Sequence, residues 1–323
     1  MRVYAGGMDI TNLIKSMTWS GDVRQVARVL SFQLLKNGED PMLPKVPLSE
    51  GDQVFLLSDK EEYLFGGVIL DIETSASEKL LSCMAKDRMF YMTGSELTKD
   101  YAGTPEAITA EVCAALSVKT GELAATGITI SNPCVKKTAY QVIQSSYTAA
   151  ARQNGKKYMQ LIKDLDHLSV VEKGTECGVV LTSGANLTEA RYKVSLQNLV
   201  NRVLITDKKG AVIKTTEDQE SQKKYGTIQK ILTQGDKENK SKEAELMLKS
   251  IEKAASVTAC PDDVRAMAGY SLLIEEPETG LVGKFYIESD THSYEGEKGE
   301  MSLTLSFENL MDEQELGKRE EKR

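Results

Sequence analysis

Residues 280–307 (GLVGKFYIESDTHSYEGEKGEMSLTLSF) constrain this chain more than any other stretch. They read as two strands joined by a polar hairpin. In the second half, Met301-Ser302-Leu303-Thr304-Leu305-Ser306-Phe307, apolar and hydroxyl residues alternate without error. A period of two puts one strand face in a core and the other in water. A similar mark lies near the other end. There Thr18-Trp19-Ser20-Gly21-Asp22 leads into a strand on which Leu30, Phe32 and Leu34 share a face. Two antiparallel β units therefore flank something different. That arrangement suits a ring-forming structural component better than an enzyme.

With 323 residues the chain is too long for one ordinary core, and two or three domains are expected. Residues 1–95 read as mostly strand. After the Leu30 strand, Pro41, Pro44 and Pro47 mark an extended linker-like stretch. Gly51-Asp52 turns into Val54-Phe55-Leu56-Leu57. Leu64, Val68, Leu70 and Ile72 are expected on one face of the next strand, with Gly66-Gly67 as a bulge or bend. Leu81, Cys83 and Ala85 continue the alternation.

The period changes over 96–178, which we read as a small α/β domain. Thr104-Pro105-Glu106 opens a helix: a hydroxyl cap, proline at the first helical position and a carboxylate at the positive end of the dipole. Ile108, Val112, Ala115 and Leu116 make its stripe. A second helix over 139–153 buries Val142, Ile143, Tyr147 and Ala150, between a Thr138 cap and a Gly155 stop. A hairpin over 157–173 turns around Asp164-Leu165-Asp166.

Residues 179–311 read as a third, strand-rich block. Asp207-Lys208-Lys209-Gly210 joins two strands. Tyr225-Gly226 enters another strand. Asp236 is expected to cap a charged helix to Ala255, with Met247, Leu248, Ile251 and Ala255 as its apolar stripe. Strands follow at 264–267 and 270–274. Residues 312–323 are dense in charge and read as a disordered tail. The fold class is α+β, mainly β.

The residue inventory excludes several chemistries. Net charge is -8, which opposes specific nucleic-acid binding, since phosphate neutralisation needs clustered Lys and Arg. Five cysteines are scattered without a CxxC pair, as in a protein folded in a reducing cytoplasm. The N-terminus has no apolar leader, and no apolar run approaches the roughly 20 residues of a membrane span, so neither secretion signal nor membrane insertion is expected. Only His167 and His292 are present, so HExxH is absent; Walker A, GxSxG and GxGxxG are absent too. His292, placed in the hairpin loop, reads either as a base paired with Asp290 or as a loop or strand-end histidine with a structural hydrogen bond. The structural reading is favoured, as it is for His167. Glu275-Glu276 with Glu278, and Asp262-Asp263, read as solvated turn carboxylates. Trp19, the sole tryptophan, reads as a core anchor. No catalytic, cofactor-binding or metal-ligating residue is assigned.

Several segments in order resemble the late control protein D family, the baseplate hubs of contractile phage tails, in the form found in phage-tail-like prophages of Gram-positive bacteria. They are Ile10-Thr11, Thr18-Trp19-Ser20-Gly21-Asp22 and Ala27-Arg28-Val29-Leu30-Ser31-Phe32 near the start. Thr126-Gly127-Ile128-Thr129-Ile130, Asn154-Gly155 and Lys156-Lys157-Tyr158 follow in the middle. The last block holds Asn201-Arg202-Val203, Tyr225-Gly226, Gly283-Lys284-Phe285-Tyr286-Ile287 and Thr291-His292. The resemblance implies two tail-tube-like barrels per chain and a homotrimer whose six barrels mimic sixfold symmetry. The implied partners are a hexameric tail tube or tube-initiator protein, a trimeric spike protein, and baseplate wedge and tape-measure proteins. It also implies synthesis in a bacterial cytoplasm and assembly into a tail particle, a virion or one released by lysis. Some hubs carry a fused wall-degrading domain; this chain shows none after its second β unit. A peptidoglycan-binding or wall-degrading tail component, the latter using Asp290 and His292 or the acidic turns, is the competing reading.

Overall fold

Strand alternation at both ends of the chain converges on one sheet. The computed structural model describes residues 1–35, 44–74, 80–235, 239–296 and 298–317; the Pro41 expectation lies outside them. The chain divides into two compact units, Met1–Ala190 with Ser256–Arg323, and Arg191–Ala255. The fold is α+β and mainly β.

The first unit opens with β1 (Arg2–Ala5), β2 (Met8–Asp9), β3 (Ile14–Asp22), β4 (Gln25–Leu35), β5 (Gln53–Leu57), β6 (Tyr63–Thr74) and β7 (Leu80–Asp87), then the short helix α1 (Met89–Gly94). Leu30, Phe32 and Leu34 are buried as their spacing requires, packed with Trp19, Leu56, Ile69 and Ala85. β6 departs from expectation. Phe65, Gly67 and Ile69 face inward, whereas Val68 and Leu70 do not. A bulge between Ile69 and Asp71 then changes the phase. No register shift falls at the two glycines, which admit close neighbours. A Cβ on Gly67 would run into the Lys86 carbonyl, and one on Gly66 would lie 2.5 Å from the Leu165 carbonyl.

The α/β module contains β8 (Glu96–Gly103), α2 (Pro105–Ala115), β9 (Lys119–Leu123), β10 (Ile130–Thr138), α3 (Ala139–Asn154), β11 (Tyr158–Lys163) and β12 (His167–Glu172). β8 pairs antiparallel with β10; β12 lies between antiparallel β11 and parallel β9. Thr104 caps α2, and Thr138 with Gln141 forms a complete capping box on α3. Gly155 ends α3 at φ 74°, the left-handed conformation that costs glycine least. Val142, Ile143, Tyr147, Tyr158 and Leu168 fill the core between helices and strands.

Next come β13 (Glu176–Thr182) and β14 (Leu187–Ser195). The second unit holds β15 (Arg202–Thr206), β16 (Val212–Glu217), α4 (Gln219–Tyr225), β17 (Gln229–Thr233) and α5 (Ser241–Met247). β15 lies between antiparallel β16 and parallel β17. Val203, Ile205 and Ala244 form its small core. The expected helix to Ala255 is corrected here. Asp236 lies outside the described residues, α5 ends at Met247, and Leu248 is extended at ψ 131°. Val200 and Lys249 then exchange backbone hydrogen bonds at 3.0 and 2.9 Å. Beyond them runs β18 (Glu252–Ala259), burying Ala255, Val257 and Ala259 at a period of two. Charged i,i+4 pairs favour a helix weakly, and the alternation prevails.

The chain closes with β19 (Ser271–Glu276), β20 (Leu281–Glu295) and β21 (Lys298–Ser306). Residues 264–267, expected as strand, form none: Val264 and Arg265 make a turn and Ala266 and Met267 are irregular. Met301, Leu303 and Leu305 are buried, whereas Phe307 is partly exposed. The resulting 13-stranded sheet runs β14-β18-β21-β20-β3-β4-β7-β6-β5-β1-β2, with β19 on the first half of β20 and β13 on β19. The β20–β3 pairing therefore stitches the C-terminal strands to the N-terminal ones.

Residues 312–317 correct the expectation of a disordered tail; the residues after them lie outside the described set. Asp312 accepts a hydrogen bond from Tyr140 at 2.7 Å, and its carbonyl accepts one from Gln144 at 2.7 Å. Arg152 pairs with Glu313 and Glu315, and Met311 and Leu316 pack on the module core.

Candidate functional site

The β3–β20 seam carries the densest cluster of buried charge. Four inward-facing positions that alternation would give to apolar residues hold polar ones. Arg28 is in phase with Leu30, Phe32 and Leu34; Asp87 is in phase with Cys83 and Ala85; Asp290 and His292 share the inward face of β20. The register sets His292 opposite Trp19 and Asp290 opposite Gly21.

Arg28 grips Asp290 with both terminal nitrogens, Nη1 to Oδ1 at 3.0 Å and Nη2 to Oδ2 at 2.5 Å. Gly21 makes room: a Cβ there would collide with the guanidinium. The guanidinium lies over the Trp19 ring, 4.1 Å from its centre, and the His292 ring lies 5.0 Å from the same ring. The Ala268 N–H donates to Asp290 Oδ1 at 2.6 Å. His292 Nδ1 lies 2.5 Å from Asp262 Oδ1, whose other oxygen accepts the Tyr294 hydroxyl. His292 Nε2 is 3.2 Å from Asp290 Oδ2, close enough for charge attraction but too oblique for a hydrogen bond.

Burial opposes charge on Asp290, yet the Arg28 guanidinium and the His292 ring outweigh it and hold the carboxyl near about 2. His292 shows the same contest. Burial lowers its affinity for a proton, but the Asp262 hydrogen bond and the attraction of Asp262 and Asp290 raise it above the ordinary histidine value. Asp87 has no such rescue. Burial pushes it up to about 7, against the N–H groups of Arg28 and Met89.

A cavity of about 210 Å³ lies beside this cluster. Trp19, Arg28, Gly66 and Asp87 line one side, Tyr140, Gln160 and Lys173 another, and the 260–270 loop contributes Val264 and Met267. Among the described residues, Trp19 Nε1, Arg28 Nε and Gln160 Oε1 lack a hydrogen-bond partner. Lys173 gives its ammonium to the Leu310 carbonyl, and burial lowers its proton affinity.

The structure thus brings Asp290 and His292 together, but inside β20 and not in a hairpin loop. Asp262 is no solvated turn carboxylate; it is the third member of the group. Glu276 is buried as well and accepts the Glu278 N–H at 2.8 Å. His167 opens β12 apart from this cluster, with Nδ1 3.1 Å from the Asp164 carbonyl oxygen. Trp19, fully buried, is the core anchor its sequence context predicts. Arg28, Asp87 and Tyr294 were not singled out from sequence, although for Arg28 and Asp87 the signal was present: a charge continuing an inward apolar stripe. The arrangement is built to lock strands together. With His292 0% exposed and Asp290 1% exposed, no substrate reaches the pair.

No helix among the described residues is long and apolar enough to cross a membrane. All five cysteines are free. Among curated proteins, the phage-like element PBSX protein XkdQ of Bacillus subtilis is 24% identical over 311 residues, covering 93% of this chain and 94% of that protein. Among solved structures, the 43 kDa tail protein of prophage MuSo2 from Shewanella oneidensis superposes with a TM-score of 0.66 at 14% identity, covering 94% of this chain and 97% of that one. The c3393 protein of E. coli, a type VI secretion component described as similar to the T4 tail proteins gp27 and gp5, has a TM-score of 0.50 at 10% identity, covering 90% of this chain and 73% of that one. The resemblance to phage-tail proteins read from the sequence agrees with all three. The YQBQ-like family profile matches residues 17–306, and the chain belongs to that family.

Proposed function

We propose that this chain is the structural baseplate hub of a contractile phage tail or tail-like bacteriocin. Three copies form a ring that joins the hexameric tail tube to the trimeric central spike. The observation that carries this reading is the β3–β20 pairing. It places an N-terminal and a C-terminal antiparallel unit side by side in every copy. Three copies then offer six such units, and a closed ring of heterologous contacts can meet sixfold symmetry on one side and threefold on the other. The barrel domains are 1–95 and 179–311, and the α/β domain of 96–178 faces the spike or baseplate wedge. The likeness to the MuSo2 tail protein over 94% of the chain supports this role, as does the described similarity of c3393 to gp27 and gp5.

A net charge of -8 suits a lumen through which tape-measure protein or DNA passes without sticking. The protein works without catalysis: the Asp290–His292 pair is sealed from any wall polymer and bound to Arg28 and Asp262. It is made in the bacterial cytoplasm and leaves in the particle.

The test is immunogold labelling of tail particles carrying an epitope after residue 323. Gold at the junction of tube and spike is expected. Gold along the sheath, or particles without the protein, would overturn the proposal.

A further inference from the structure

A histidine between two carboxylates is attracted to both only as imidazolium, because the neutral ring has one N–H and one lone pair. His292 holds that position, fully buried, and touches three elements at once. Asp262 belongs to the 260–270 loop, Asp290 to β20, and Trp19 to β3. The same carboxylates hold the loop. Asp290 receives the Ala268 N–H, and Asp262 receives the Tyr294 hydroxyl. Backbone bonds add to the attachment, among them Asp262 N–H to the Gly299 carbonyl at 3.1 Å, Gly269 N–H to the Ile287 carbonyl at 2.8 Å and Gly174 N–H to the Gly269 carbonyl at 2.7 Å. The loop also walls the cavity with Val264 and Met267.

We propose that His292 is a proton-held latch: as imidazolium it ties the 260–270 loop to the β3–β20 seam, and loss of its proton frees the loop and loosens that wall of the cavity. A neutral ring turns a lone pair toward one carboxylate, so that carboxylate repels the ring and its hold on the loop weakens.

The charges around the ring support this direction. From the loop, Asp262 and Asp263 face it, and Arg265 neutralises Asp263 at 2.6 Å. From β20 come Asp290 and the Tyr294 hydroxyl. From β4, Arg28 is spent on Asp290. Asp87 on β7 acts on Arg28, and Asp59, before β6, acts on Tyr294. The sum favours the cation despite burial, so the latch holds to a higher pH than an ordinary histidine would and opens on the alkaline side. The latch goes beyond the hub reading, since it holds whatever the ring binds.

The experiment uses the full chain. Hydrogen exchange of amides 262–270, corrected for intrinsic rate, is followed from about pH 6 to about pH 9, with Trp19 emission read in parallel. The sole tryptophan lies against the ring and reports its charge directly. Wild type should lose loop protection about tenfold for each unit by which the folded pKa exceeds the ordinary one. Emission should shift with the same midpoint, and His292→Gln should show neither transition. Unchanged protection in wild type, or the same transition in His292→Gln, overturns the latch. Should that variant not fold, NMR titration of the two histidines decides: His292 titrating at or below the ordinary histidine value overturns it, and above it supports it.

Discussion

Arg28 and Asp290 stand 262 positions apart in sequence and meet in a two-pronged ion pair across the β3–β20 seam. Asp290 is fully buried and Arg28 nearly so. Breaking such a pair from one side leaves an uncompensated charge in the interior, at a cost of about 3–5 kcal/mol. Arg28→Ala should therefore destabilise the first unit by that order, measured by urea denaturation. Arg28→Lys should recover only part, since a single ammonium cannot grip both oxygens in parallel. A loss under 1 kcal/mol for Arg28→Ala would show the pair to be incidental.

Gly66 governs how the α/β module meets the β sheet. Its Cα faces the Leu165 backbone so closely that an added Cβ would come to 2.5 Å from the carbonyl oxygen. Gly66→Ala should push the β11–β12 hairpin outward and cost about 1–3 kcal/mol as overpacking. Hydrogen exchange across β11 and β12 reads the displacement. Unchanged protection there would mean the two parts are not held by this contact.

Periodicity made much of this legible. The stripes of β4, α3 and β21 follow directly from Leu30-Phe32-Leu34, Val142-Ile143-Tyr147 and Met301-Leu303-Leu305. Where it misled, competing physics explains why. In β6, Leu64, Val68 and Leu70 matched a period of two, but Phe65 and Ile69 took the core and the bulge after Ile69 reset the phase. In 236–255, paired charges imitated a helix that the Val200–Lys249 bridge ends. For the site, Asp290 and His292 were noticed as a pair, but the assumption of a loop concealed that they face inward. Partners such as Asp262 and Arg28 come from distant strands, and their pairing is set by register, which one sequence does not reveal.

Stability should depend on pH through three groups of opposite sense. Asp290 is held at about 2, below its unfolded value, so its contribution is present above about pH 4 and lost as pH falls through about 2. Asp87, pushed up to about 7, works the other way. Its contribution is complete below about pH 4 and is lost as pH rises through about 7. His292, also raised, adds a loss on the alkaline side. Wild type should therefore weaken between about pH 5 and pH 9, and Asp87→Asn should weaken less, the difference being on the order of 1–3 kcal/mol. Urea midpoints at the two pH values measure it. Parallel behaviour of the two proteins would refute the assignment to Asp87.

The segment after β21 acts as a strap. Asp312 joins Tyr140 and Gln144, Thr148 Oγ1 accepts the Gln314 N–H at 3.2 Å, and the Gly317 N–H reaches Asn132 Oδ1 at 3.1 Å. Each such bond is worth about 1 kcal/mol net. Truncation after Met311 should lower the melting temperature by several degrees and raise amide exchange in α3. An unchanged melting temperature would return the segment to the status of a loose tail.

The hub account stands on three copies behaving as six. Cryo-electron microscopy of the chain assembled with its spike protein tests this most directly. A ring of three chains whose density repeats nearly every 60° on the tube-facing side, and every 120° on the spike-facing side, is the predicted result. A monomer bound to the spike, or a ring in which only one β unit of each chain lines the lumen, would contradict it.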